Sequence, residues 1–220
     1  MRTRFLPALL LPALLAACQN GTPNSPDPLT LDFTATGASR NYTPTQDLQL
    51  SYTTQNQKLV IGTLKSGGTV DVLMTAAQAK SVTMRQLTEY ANAWKDGGCD
   101  ITALNVQNTP LRFTDLATFT SPAGTPSVLY PQTVTKNADG SATTARVGFY
   151  YAVNAGSMKG AVTCPGRSAV TYDIILKPGW NTVTHTVTTK LDGQYVEDRF
   201  DQSTHTNRYD GPWYAYTAPK

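Results

Sequence analysis

A period of two runs through this chain. Val170, Tyr172, Ile174 and Leu176 alternate with Thr171 and Asp173, and Leu48, Leu50 and Tyr52 alternate with Asp47, Gln49 and Ser51. Val70, Val72 and Met74 do the same, as do Val147, Phe149, Tyr151 and Val153 against Gly148, Tyr150 and Ala152. Successive side chains leave opposite faces of a strand, so each run buries one face and wets the other. Turn residues separate the runs: Lys65-Ser66-Gly67-Gly68, Asn137-Ala138-Asp139-Gly140 and Asp192-Gly193. Short strands at such spacing predict a mainly β fold, a β-sandwich-like domain of Ig/transthyretin-like architecture. The 34 threonines, and 11 tyrosines against 6 phenylalanines, supply the β-branched and aromatic bias that strands favour.

One segment departs from the period. Met84, Leu87, Tyr90, Ala91 and Trp94 recur at three and four, which predicts one short helix over 83–96. Thr83 and Gln86 have capping-box spacing, and Gly97-Gly98 ends the stripe. Tyr90 and Trp94 are expected to pack against a sheet. Lys177-Pro178-Gly179-Trp180 reads as a type II turn, whose twist suits a corner better than a tight hairpin, with Trp180 covering one end of the core. Trp213, Tyr214 and Tyr216 suggest an edge strand that docks the C-terminus.

The N-terminus carries an address. Met1-Arg2-Thr3-Arg4 precedes an apolar stretch of eleven residues, Phe5 to Leu15, too short against the roughly 20 that a helix needs to cross a bilayer. Leu15-Ala16-Ala17-Cys18 matches the lipobox of bacterial lipoproteins. Residues 1–17 are then an export signal, and Cys18 is the lipidation site that joins the chain to a membrane. Gln19 follows, where an aspartate would signal inner-membrane retention, so the expectation is the outer membrane, or the outer face of the cytoplasmic membrane in a cell without one. Residues 18–28, CQNGTPNSPDP, read as a tether, and 29–218 as a single domain. Loss of Arg2 and Arg4 lowers the formal charge from +3 to +1. A nearly neutral surface without a Lys/Arg cluster argues against nucleic acid. In an oxidising envelope the remaining cysteines, Cys99 and Cys164, are expected to form a disulfide.

Gly148-Phe149-Tyr150-Tyr151-Ala152 and Leu176-Lys177-Pro178-Gly179-Trp180-Asn181 are the most distinctive strings. They resemble the C-terminal half of a family of bacterial envelope lipoproteins in which a YYA strand is followed by a strand ending L-K-x-G-W-N. Ile61 to Val72 is similar to that family's N-terminal β unit, and the likeness spans about two thirds of the mature chain. It implies a fold and an envelope address, and no activity.

The chain has no G-x-S-x-G, H-E-x-x-H, phosphate loop or dinucleotide fingerprint. His185 shares strand parity with Val183 and Val187, as a half-buried sheet histidine would. His205 lies near Glu197, Asp198 and Asp201 without diagnostic metal spacing. No cofactor, metal or catalytic residue is assigned. Tyr150, Trp213, Tyr214 and Tyr216 are the candidate ligand-facing aromatics, and for Tyr150 the competing reading is a strand buried on both faces. The expectation is a membrane-anchored envelope lipoprotein that binds or scaffolds an envelope protein without catalysis. The alternative is a carbohydrate-binding module presenting those aromatics to a glycan.

Overall fold

A computed structural model describes residues 26–53, 57–82, 84–114, 117–120 and 126–217. The fold is mainly β, as the alternation requires. The first strands are β1 (Phe33–Ala38), β2 (Leu48–Thr53), β3 (Lys58–Leu64) and β4 (Thr69–Met74). Helix α1 (Ala76–Ser81), the bridge strand β5 (Arg85–Gln86) and helix α2 (Leu87–Asp96) follow. Then come β6 (Leu104–Gln107), β7 (Pro110–Thr114), β8 (Ala117–Thr120), β9 (Pro126–Lys136) and β10 (Ala142–Ala152). The chain finishes with β11 (Gly156–Val162), β12 (Val170–Leu176), β13 (Gly179–Thr189), β14 (Tyr195–Thr204), β15 (Arg208–Tyr209) and β16 (Trp213–Thr217).

Pairing runs in two circuits. In the first, β1–β4–β3–β2–β8–β9–β16 are neighbours in turn, and a parallel bridge between Ser39 and Trp213 returns β16 to β1. Arg40 N–H donates to the Trp213 carbonyl, and the Asn41 amide both donates to and accepts from the Ala215 backbone. The expected C-terminal edge strand is therefore flanked on both sides. In the second circuit, β7–β10–β13–β14–β12–β11–β6 pair in order, and only Asn108 and Thr109 separate β6 from β7.

Each circuit surrounds a hydrophobic cluster. Phe33, Leu50, Leu64, Val70, Leu129 and Trp213 fill the first; Leu111, Tyr150, Met158, Val162, Ile174, Leu176 and Val183 fill the second. Strand β10 belongs to both, because Phe149 and Tyr151 point into the first while Tyr150 and Ala152 point into the second. Gly148 to Ala152 is buried throughout, although β-strand alternation alone describes a half-wet strand.

The helix begins four residues later than its apolar stripe suggests, and Thr83 lies outside the described residues. Gln86 is the N-cap: its N–H donates to Glu89 Oε1 at 3.0 Å, while Leu87 N–H is tied to the Thr109 carbonyl. Those bonds hold Arg85 and Gln86 in a bridge to β7, outside the helix. The C-terminus ends as Gly97-Gly98 predicts. Gly98, at φ +81°, donates to Lys95 O, and Cys99 N–H reaches back to Trp94 O, which is a Schellman closure. A second helix, the six-residue α1, was not legible. It is capped by reciprocal bonds between Thr75 and Gln78.

Cys99 and Cys164 form the expected disulfide. It lies beside a two-bond bridge between Asp100 and Thr163, and so pins the end of α2 to the second circuit. Lys177-Pro178-Gly179-Trp180 is a corner: β12 and β13 are not partners, and β14 inserts between them. Trp180 seals the first cluster there, with its ring centroid 5.1 Å from Tyr151 and 5.2 Å from Phe33.

Candidate functional site

Strand register builds the site. Gln132 on β9 faces Arg146 on β10, Arg146 faces His185 on β13, His185 faces Phe200 on β14, and Phe200 faces Tyr172 on β12. Residues paired across adjacent strands share a sheet face, so these five form one lateral row over five strands. Tyr130 is on the same face of β9 two residues before Gln132, and it faces Tyr214 on β16. Tyr216, two residues further on, joins them.

The row divides into two groups. At the β16 end, Arg146 Cζ stands 3.6 Å over the Tyr130 ring, a cation–π contact. The Tyr130 and Tyr216 rings lie 5.8 Å apart with their planes tilted by 60°. Gln132 Nε2–H donates to the Tyr216 hydroxyl, and its own carbonyl oxygen is buried without a hydrogen-bond partner. At the other end, His185 Nε2 is 2.8 Å from Asp198 Oδ1. The imidazole stacks on Phe200 at 4.0 Å, and Phe200 stacks on Tyr172 at 4.8 Å, both nearly parallel. Trp94 Nε1–H donates to the Tyr172 hydroxyl at 2.8 Å. Burial pushes the Tyr172 hydroxyl well above the ordinary tyrosine pKa; the Asp198 charge adds to this, and the Trp94 bond opposes it. Tyr172 is buried at one end of the row, while His185, Asp198 and Arg146 are partly exposed and Tyr216 is exposed.

The four sequence-selected aromatics separate here. Tyr150 is 7% exposed and Trp213 1%, so neither can face a ligand. The physical reason is that β10 lies between two clusters, so Tyr150 fills the second, while β16 turns Trp213 into the first. Tyr214 is half-buried, and Tyr216 is 43% exposed on the row's face. Tyr90 and Trp94 pack on the second cluster, as expected of a helix stripe against a sheet.

The two histidines do not meet. His205 Nε2 lies 3.0 Å from the Pro178 carbonyl, at the corner that opens β13, while His185 sits in mid-strand on Asp198. The carboxylates near His205 have other partners, since Glu197 and Asp201 both hold Arg199. Among the described residues no group of three or more His, Cys, Asp or Glu could hold a metal ion. No helix among them is long and apolar enough to cross a membrane.

Sequence reasoning placed His185 on the correct face and missed its partner Asp198, together with Tyr130, Gln132 and Arg146. A lone arginine in the Thr- and Ala-rich start of β10, at the parity of Tyr150, was the available signal. Comparison with known protein families, with curated proteins and with solved structures finds no match to this chain.

Proposed function

We propose that the chain is a lipid-anchored envelope protein that binds a macromolecular partner through the face carrying Tyr130, Tyr214, Tyr216, Arg146 and the His185–Asp198 pair. The observation that carries this reading is the row itself: an aromatic-bound cation and a hydrogen-bonded imidazole–carboxylate pair share one partly exposed sheet face. Aromatic and arginine side chains of this kind contribute most of the energy of protein interfaces. Binding is favoured over catalysis because Arg146 lies over the Tyr130 ring, the histidine of the row is held on Asp198, and His205 lies at a separate corner.

The anchor rests on Cys18. Cys18→Ser should abolish acyl labelling and move the protein from the membrane to the soluble fraction; persistent labelling overturns the anchor. For the binding face, a photo-crosslinker at Tyr216 should capture a discrete adduct on intact cells, lost when Arg146→Ala is added. The same probe at Thr184, on the opposite face of β13, should capture none. An adduct pattern identical at both positions would sink the assignment of this face.

The carbohydrate reading keeps Tyr214 and Tyr216, which stay at the surface. The 60° tilt between Tyr130 and Tyr216 gives a sugar ring no flat platform, and this places the glycan second. Affinity electrophoresis in soluble envelope polysaccharides separates the two: retardation that Tyr216→Ala removes would favour the glycan.

A further inference from the structure

The segment that precedes β1 is built into the fold. Tyr151 Oη–H donates to the Leu29 carbonyl at 2.7 Å, and Trp180 Nε1–H donates to the Leu31 carbonyl at 3.0 Å. Leu29 packs on the first cluster, and Asp27 accepts the Leu29 N–H. Pro28 lies directly on Gly179, where a Cβ would come within 2.5 Å of the Pro28 carbonyl oxygen. The Gly179-Trp180 corner is thus a dock for residues 27–31, and it fixes the point at which the preceding chain leaves the fold.

We infer that this corner is the membrane-facing pole of the protein and that the β13–β14 hairpin is the pole held away from the lipid. The inference rests on the lipid-anchor reading. Strand β13 runs its eleven residues from Gly179 to Thr189, about 33 Å at the usual rise, so Leu191 and Asp192 stand at the opposite end from Pro28. The ten Cα–Cα steps from Cys18 to Pro28 span at most about 35 Å when fully extended. Turning the hairpin toward the membrane would use nearly all of that reach, whereas the corner faces it at any tether length. Charge is compatible with a phospholipid surface at the near pole. Lys177 and Arg208 are exposed there, and of the nearby acids Asp27 and Asp32 accept the backbone N–H groups of Leu29 and Ala76.

The test uses the full-length lipidated protein on vesicles of phosphatidylethanolamine and phosphatidylglycerol that contain a headgroup-nitroxide lipid. With Cys18 acylated and Cys99 bonded to Cys164, a single introduced thiol is the reactive one. A fluorophore on Lys177→Cys should be quenched at least threefold more than one on Asp192→Cys; Arg208→Cys supplies a second near-pole position if the first variant folds poorly. Equal quenching, or stronger quenching at 192, in protein that floats with the vesicles overturns the orientation alone. Protein that fails to float overturns the anchor, and the orientation with it.

Discussion

At the scale of single residues, the buried hydroxyls and indoles have consequences that can be measured. The folded state holds the Tyr172 hydroxyl pKa above its unfolded value, as it does Tyr209, where burial is again the first cause and the Asp210 charge adds to it. A raised pKa contributes stability that is complete below the ordinary tyrosine value of about 10 and is lost as pH climbs beyond it. Alkaline unfolding should therefore set in above about pH 10. Tyr172→Phe, which cannot ionise, should flatten that limb in pH-dependent thermal melts; an unchanged alkaline slope would show that Tyr172 does not govern it. Trp180→Phe removes the indole bond to Leu31 and part of the packing on Phe33 and Tyr151. Its expected cost is about 2–3 kcal/mol in urea melts, from a lost hydrogen bond plus a partial cavity. Faster proteolysis within residues 26–32 should accompany it.

Boundaries set by neighbours in sequence could be read in advance and boundaries set by distant partners could not, and α2 has one of each. Gly98 closes α2 with a positive φ, and no atom lies within 4 Å of a Cβ placed there, so Gly98→Ala isolates the backbone strain. It should cost about 1 kcal/mol in chemical denaturation, with the fold unchanged. The glycine pair, the β period and the hairpin turns were legible because each depends on neighbours in sequence. The start of α2 was not: Gln86 is held by Thr109 through Leu87 and by Asn108, partners more than twenty residues away. Tyr150 looked available because alternation reports one wet face and cannot say that a second cluster covers it, and Trp213 because nothing in its neighbours says that β16 turns it into the first cluster. The same limit hid the functional row, since Gln132, Arg146, His185, Phe200 and Tyr172 are aligned only by strand pairing.

For the whole molecule, covalent closure is the largest separable term. The disulfide joins residues 65 apart, worth about 4 kcal/mol in the chain-entropy model. Reduction, or a Cys99→Ala/Cys164→Ala double variant, should lower the midpoint of thermal unfolding by on the order of 10 °C for a chain of this size. A shift of a degree or two would mean that α2 and the second circuit hold together without the bridge. The first circuit carries a different consequence, one of timing. Its strands β1 to β4 come early in the chain, yet the gap between β1 and β9 is filled by Trp213 to Thr217, more than 130 residues after β4. Until those residues arrive, the flank of β1 at Ser39 and the flank of β9 that faces β16 have no neighbours, and Trp213 is missing from the middle of a cluster that already contains Phe33 and Leu50. The first circuit therefore stays open until residues 213–217 pair, so a variant cut short before Trp213 should leave Phe33 and Leu50 uncovered and be degraded rather than fold in part.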